Sequence, residues 1–230
     1  MAMKDAFYAE ERYITSRAAG EESRPLADIL REHGFDSLEA YHAAKQEWLF
    51  AQCAFTEMNT TSDVAFQVIG QILRNEKPVL LFEDHATPFI YRGDKDLDVE
   101  KAEAAGITVY DGGYAGGTIV GGVGDLSIGI FFPLFIELRA DYFLRKLADI
   151  FQAHGVSAVV DHNDILVDGA KVIGSAHLAT ENYYGFVAYV SFSDKAELVR
   201  EICGDAVKKP GYLIGITPPE LEEALRAWLL

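Results

Sequence analysis

Cysteine is scarce in this sequence: among 230 residues there are two, Cys53 and Cys203. They lie far apart and in no metal-type spacing, which gives no disulfide framework and fits a reducing compartment. Basic residues are also few. Twenty Lys and Arg stand against 36 Asp and Glu, a formal net charge of -16. That deficit argues against non-specific binding to nucleic acid or an anionic membrane, while a local basic pocket could still take a small nucleotide. Long apolar runs are missing too. The longest, Ile128 to Leu138, is interrupted by Gly129, Pro133 and Glu137 and is too short to span a bilayer. Met1 to Arg17 alternates in charge without an apolar stretch, unlike a signal peptide. There are no repeats and no low-complexity tracts. The expectation is a cytoplasmic protein with neither nucleic acid nor membrane as partner.

What is present is enough to fold. Half the residues are apolar and 12% are aromatic, a composition that buries a core. The first part reads as helices: Pro25 to His33, ended by Gly34, then a helix capped by Asp36 with Glu39 as a capping box and running towards Phe55. The polar stretch Asn59 to Asp63 predicts a break that caps a helix over Val64 to Arg74. Pro78 to Glu83 and Pro88 to Tyr91 read as a pair of strands. Asp96 to Ala105 predicts a charged helix stopped by Gly106, followed by a strand over Ile107 to Tyr110. A glycine-dense loop, Gly112 to Gly124, leads to a strand over Leu126 to Phe132. Leu134 to Ala153 has the clearest helical period, with Gly155 as its stop. Val156 to Val160 and Tyr184 to Phe192 read as strands, and Asp194 to Ala206 as a helix. Thr217 with Glu220 caps a final helix, with Pro218 in its first turn. The fold class expected is α+β: a mixed or antiparallel sheet with flanking helices over residues 56–230, preceded by a helical extension over residues 1–55. Covering a ligand site, docking a partner and mediating dimerisation are all open roles for that extension.

The informative segment is Asn163-Asp164-Ile165-Leu166-Val167-Asp168-Gly169-Ala170-Lys171-Val172-Ile173-Gly174-Ser175-Ala176. Asp168-Gly169 is the strongest short-range hairpin signal a sequence offers. A two-residue turn there pairs Val167 with Ala170, Leu166 with Lys171 and Asp164 with Ile173, and puts Asp164 and Lys171 on one side. Gly174, Ser175 and Ala176 then leave room for a ligand to approach the backbone. On geometry alone, a solvent-facing hairpin with a snorkelling lysine is the simpler reading.

The pattern N-D-x-x-V-x-G-x-K-x-x-G-S-A resembles the signature hairpin of lipoate–protein ligases and, more loosely, of biotin–protein ligases. The resemblance covers about residues 56 to 217. Phe89-Ile90-Tyr91-Arg92 is similar to the family's strand ending in an arginine that lines the acyl pocket. Gly106-Ile107-Thr108-Val109 precedes a glycine loop as in the family, and Tyr114 to Leu126 resembles the stretch with a Gly-Gly-Gly core ending in Gly-Asn-Leu. By itself that loop is neither a Walker loop nor a dinucleotide fingerprint. The resemblance implies ATP-dependent activation of lipoate or a similar acid as an acyl-adenylate, with Mg²⁺ accompanying the nucleotide, and transfer to a lysine on a lipoyl-type carrier domain. It assigns Lys171 as the catalytic cation on the carboxylate and α-phosphate. Asn163 and Asp164 would fix the hairpin and adenylate, Gly116 and Gly117 with Arg92 would line the acyl site, and Gly174, Ser175 and Ala176 would close over the ligand. A fixed cation in a dry site is worth roughly 3–4 kcal/mol to such a step.

The sequence also departs from the pattern. The family's Arg-Arg before the glycines is Asp111-Gly112 here, its His-Asp after them is Gly121-Gly122, and Gly185 to Ala188 stands where histidines are common. A different acyl acid, cations supplied from elsewhere in the fold, or a non-catalytic relative would each account for this. Transfer through a cysteine thioester is disfavoured, since buried structural cysteines are the simpler reading of Cys53 and Cys203. The six histidines form no ligand spacing. His162 and His177 flank the hairpin, but a surface or packing role is favoured for both. Ser175 with His177 lacks an oriented acid and gives no triad signal.

Overall fold

The structure, a computed structural model, describes residues 3–21, 24–61, 64–75, 77–92, 97–110, 118–133, 141–181, 183–204 and 208–230. The chain divides into two compact units, Met1–Cys53 and Ala54–Leu230. Among the described residues no helix is long and apolar enough to cross a membrane.

The first unit is three helices: α1 (Met3–Ala18), α2 (Leu26–Glu32) and α3 (Leu38–Phe50). Ala6, Leu30 and Tyr41 form its core, with Met3, Leu26 and Phe35 against them. A polar knot is buried in it. The Tyr41 hydroxyl donates to Glu10 Oε2 at 2.7 Å, and Lys45 Nζ lies 2.5 Å from the same oxygen. The cap of α3 is Ser37, whose hydroxyl accepts from Ala40 N at 3.1 Å, and not Asp36 as the sequence implied. Ser37 is the residue with extended backbone immediately before the first turn, the position from which a short side chain reaches the orphan amides.

The second unit is built on two sheets. Its elements in order are β1 (Thr56–Thr61), α4 (Ala65–Asn75), β2 (Val79–Asp84), β3 (Phe89–Tyr91), α5 (Val99–Ala104), β4 (Thr108–Tyr110), β5 (Ile119–Gly121), β6 (Leu126–Pro133), α6 (Tyr142–Ala153), β7 (Ala158–Asp161), β8 (Asp164–Val167), β9 (Ala170–Ala179), β10 (Tyr183–Val190), α7 (Ala196–Cys203) and α8 (Pro218–Leu229). The large sheet has the order β1-β2-β6-β10-β9-β8-β7, and the small one β4-β3-β5. β1 runs parallel to β2 across the α4 crossover, and the remaining pairs of the large sheet are antiparallel.

Several expectations change here. The polar stretch around Asn59 is not a break. Thr56–Thr61 is the edge strand β1, half-exposed along its length, and an edge tolerates polar side chains that a central strand does not. The two runs expected to pair, Pro78 to Glu83 and Pro88 to Tyr91, belong to different sheets. β2 is buried over Val79 to Glu83 and takes β1 and β6 on its two edges, leaving none for β3. The glycine-dense segment contains a strand, β5, antiparallel to β3. Within the expected helix over Leu134 to Ala153 the described part is α6, and residues 134–140 lie outside the described residues. α7 ends at Cys203, where Gly204 takes a positive φ of 63°.

One face of the large sheet is closed by α6, where Phe143 stacks on Phe186 and packs against Phe132. Burying such rings fully is worth roughly 2–3 kcal/mol each. On the other face Ile69 and Ile72 of α4 cover Leu81, Phe131 and Tyr183. At the end of the unit, α8 carries the expected cap: Thr217 and Glu220 form the reciprocal box, with Pro218 in the first turn.

Candidate functional site

The Asp168-Gly169 turn is as its dipeptide demands, both residues having positive φ (50° and 73°), the two-residue hairpin geometry that keeps the flanking strands twisted together. Val167 pairs with Ala170 and Leu166 with Lys171. The register then slips at a bulge between Ile165 and Leu166, so that Asp164 pairs with Gly174 and not with Ile173 as expected. An extra residue on one strand re-aims the side chains beyond it. Here it sets Asp164 and Gly174 in line with Tyr189 of β10, Ser127 of β6 and Glu83 of β2. These five positions, one per strand, form a single rung across the sheet face that α4 partly covers. The neighbouring rung is Ala176, Val187, Gly129 and Leu81.

Two cavities lie over this floor. The larger, about 360 Å³, opens beside the hairpin and is lined by Asn163, Asp164, Lys171, Gly174 and Ser175. The smaller, about 60 Å³, is lined by Leu81, Glu83, Tyr91, Arg92, Ser127 and Ala176, with Ile69 from α4. Ile119, Ser175 and Tyr189 line both.

In the larger cavity Lys171 Nζ lies 2.8 Å from Asp164 Oδ1. The lysine side chain crosses Gly174 so closely that a Cβ there would meet its Cε and Nζ at 2.9 Å, so the glycine leaves room for the cation to lie down in this position. A second cation meets the same acid: Lys208 Nζ is 2.6 Å from Asp164 Oδ2 and 2.8 Å from Asp161 Oδ2. The two carboxylates raise the Lys208 ammonium above the ordinary lysine range. The chain after Lys208 is stitched to the hairpin, Lys171 N donating to Lys209 O and Gly211 N to Lys171 O, both at 2.8 Å. The backbone that carries the lysine is thus held on its free edge. Ser175 donates twice to Asn163 O, from its amide at 2.9 Å and its hydroxyl at 2.8 Å, closing the turn between β7 and β8.

A buried ion pair supports the far wall. Asp125 is nearly inaccessible, and its Oδ2 takes Lys195 Nζ, the Tyr189 hydroxyl and Gly122 N. Its Oδ1 accepts from Phe192 N at 2.7 Å and Ser193 N at 3.1 Å. Burial pulls the Lys195 ammonium down against the pull of Asp125. A charge this deep is stable only when its lone pairs are filled, and here they are. Asp125 stands where the resembled pattern has asparagine, and its charge is met here by Lys195. Gly121 stands where the resembled pattern has histidine, and rings fill the space beside it: a Cβ there would meet Phe89 at 2.2 Å and Tyr189 at 2.9 Å.

The smaller cavity has a mixed character. Leu81, Ile69 and Val187 make one end apolar, while Glu83 and Ser127 stand side by side at the other. Burial pushes the Glu83 carboxyl up to about 7, against a hydrogen bond from the Tyr91 hydroxyl to Oε1 at 3.2 Å. Behind them His85 is buried, its Nε2 2.8 Å from Ser127 Oγ and its Nδ1 3.7 Å from Glu83 Oε1. Burial holds that imidazole down at about 4, so it is neutral.

Of the residues expected in the site, the structure gathers Lys171, Asn163, Asp164, Gly174 and Ser175 around the larger cavity, and Arg92 and Ala176 around the smaller. Gly116, Gly117 and the Asp111-Gly112 pair lie outside the described residues. His162 is on the rim of the larger cavity, exposed and paired with Asp161 at 2.8 Å, whereas His177 is half-buried against Tyr184. Cys203 lines the larger cavity but sits in an apolar cluster with Ile90 and Val199, and burial raises its thiol. It is a wall residue and not a thiolate. Cys53 is in the helical unit, its thiol also raised by burial. Sequence reasoning missed Lys208, Glu83, Ser127 and the Asp125–Lys195 pair. Among the described residues no three His, Cys, Asp or Glu side chains come together as a metal site.

No protein-family model matches this chain, and neither does any curated protein sequence. Solved structures do. A bipartite lipoate protein ligase from Thermoplasma acidophilum, described with its E2 lipoyl domain, superposes with a TM-score of 0.63 at 14% identity, over 76% of this chain and 81% of that one. A lipoate-protein ligase A bound with ATP gives 0.61 at 15% identity, over 75% and 82%. LipL1 of P. falciparum in complex with lipoate gives 0.62 at 13% identity, over 74% of this chain and 58% of that one. A mixed sheet with flanking helices, preceded by a helical unit, therefore carries in divergent form the catalytic-domain fold of the lipoate–protein ligases.

Proposed function

We propose that this protein uses ATP to activate lipoate or a related small carboxylic acid as its adenylate, then passes the acyl group to a lysine of a lipoyl-type carrier domain. The observation that carries this reading is Lys171, held across Gly174 in an open cavity with a second cation, Lys208, beside it. In the reaction a carboxylate oxygen bonds to the α-phosphorus and the bond to pyrophosphate breaks. Two anions must be brought together, and a positioned ammonium offsets their repulsion as charge builds on the α-phosphate. Lys171 does this, with Asp164 fixing where its Nζ lies. Lys208 contributes a cation that the sequence lacks at Asp111-Gly112. Asn163 holds the β7–β8 turn, Arg92 borders the acyl end, and Ala176 floors it beside Gly129. The glycines Gly116 and Gly117 are assigned to the acyl site by the resemblance. Magnesium would arrive on the nucleotide's phosphates. Two free cysteines fit work in the cytoplasm.

Support for the fold-level half of this reading comes from the solved relatives, which are lipoate–protein ligases bound to lipoate or ATP or described with a lipoyl domain. A second reading, an acid-binding protein without catalysis, draws on one observation: both lysines are already paired with carboxylates, Lys171 with Asp164 and Lys208 with Asp164 and Asp161. The test is ATP–pyrophosphate exchange with lipoate, octanoate, biotin and other short acids. Exchange with any acid, abolished by Lys171→Ala in a protein of unchanged Tm, supports the ligase. Folded protein that exchanges with none of them overturns it in favour of the binding protein.

A further inference from the structure

The smaller cavity is a poor match for a plain hydrocarbon chain. Its apolar end is conventional, with Leu81, Val187 and Ile69 around Gly129. Its other end presents a carboxyl group whose side chain is 6% exposed, lining the cavity from the last buried position of β2. A buried acid without partners costs several kcal/mol, so such groups are retained where something satisfies them. Among the described residues Glu83 has one hydrogen bond, from Tyr91 to Oε1, and Oε2 takes none. His85 Nδ1, 3.7 Å away, is beyond hydrogen-bond reach and is itself unpartnered among the described residues. Ser127 Oγ, beside Glu83 on the same rung, is tied to His85 Nε2 and still lines the cavity. An acceptor and a hydroxyl thus face the cavity together at its polar end.

The position of this ledge matters as much as its chemistry. Gly174, over which Lys171 lies, and Glu83 are on one rung, three strand spacings apart. That is about 14 Å along the floor. A carboxylate held at Lys171 and a chain laid past Tyr189 brings the far end of the molecule to Glu83.

We infer that the acid this site takes carries an O–H or N–H donor at the end remote from its carboxylate, and that Glu83, with Ser127 beside it, is the specificity-determining residue that reads it. This rests on the ligase or acid-binding reading of the Lys171 cavity and narrows its substrate: hydroxylated or ureido-bearing acids fit, and octanoate and lipoate, whose far ends donate nothing, leave Glu83 unsatisfied. The cost of leaving it so corresponds to about 10–100-fold in affinity.

The experiment is calorimetric titration of the whole chain with octanoate, lipoate, biotin and ω-hydroxy fatty acids of graded length, in wild type and in Glu83→Leu and Glu83→Gln. At least one donor-bearing acid should bind about ten-fold or more tightly than octanoate. Glu83→Leu should lose that preference and gain affinity for octanoate, while Glu83→Gln, which keeps an acceptor, should retain most of it. The wild-type comparison decides even where the leucine variant fails to fold. Octanoate or lipoate binding as well as every donor acid, an unchanged preference in Glu83→Leu, or no binding by any acid would each overturn the inference. ATP–pyrophosphate exchange run alongside separates the two readings. Donor-selective binding without exchange leaves the inference standing and removes the ligase, and exchange with octanoate that ignores Glu83→Leu does the reverse.

Discussion

Asp164 and Glu83 occupy the two ends of the same cross-strand rung and behave as opposites. Asp164 is met by two ammonium groups within 2.8 Å. Glu83 has a tyrosine hydroxyl and a neutral imidazole near it, and burial pushes its carboxyl up to about 7. One acid holds two cations in place, and the other is at the edge of being an uncharged hydrogen-bonding group. Sheet geometry is common to both, so the contrast comes from what the neighbouring segments bring: lysines from the hairpin and residue 208 at one end, apolar strands at the other.

Breaking the charged end should have the largest effect. Lys171→Ala is expected to lower ATP–pyrophosphate exchange by about 10²–10³-fold with little change in Tm, the loss typical of one positioned donor. Retained exchange in that variant would remove Lys171 from the chemistry. Removing the anion instead, Asp164→Asn, leaves the lysines closer to a phosphate but unheld. Exchange should fall by about ten-fold, less than for Lys171→Ala, with nucleotide affinity unchanged or tighter. An equal loss in both variants would make the pair one inseparable unit.

The buried end is sharpened by pH. Glu83 has its pKa raised on folding, so its contribution is full below the ordinary carboxylate range and is lost as pH rises towards about 7. His85 is lowered to about 4, so its contribution is full above the ordinary histidine range and is lost as pH falls through about 4. Between about pH 4 and 7 the two oppose each other and the wild-type stability profile should be flat from this pair. In Glu83→Gln only the histidine remains, and stability should fall on acidification by an amount on the order of 3 kcal/mol across that window. Thermal melts at graded pH would show it, and parallel profiles for variant and wild type would refute the assignment. The smallest effect is expected for Lys208→Ala. Its side chain is 44% exposed, so stability should change by about 1 kcal/mol or less. Nucleotide affinity should weaken a few-fold, with a shallower dependence on salt.

The charged end was largely legible in the sequence, because it is local. A two-residue Asp-Gly turn sets the register of its own strands, so Lys171 and Asp164 come to one side by counting. The bulge at Ile165 moved Asp164 one position along its partner and kept the ion pair. The buried end was not legible. Glu83 closes an apolar run and looks like its polar terminus, and only the pairing of β2 with β6 sets it beside Ser127. Lys208 was hidden for the same reason: it reaches Asp164 through a backbone bridge between Lys171 and Pro210, a contact without local sequence signal. β1 escaped because threonines and asparagine on an edge strand pattern like a loop. Asp125 was visible only as a departure from Gly-Asn-Leu, and its compensation by Lys195 required the fold.

Four strand spacings separate Asp164 from Glu83 along their shared rung, about 19 Å. Substitutions that far apart, with no side-chain partner in common, combine additively in folding stability. On the proposed function, the end of the pocket that would select a molecule is therefore free to drift through single changes at positions such as 83 and 127 while the end that would activate it stays folded. A sheet laid out in this way allows a chain to acquire a new substrate before it loses an old reaction.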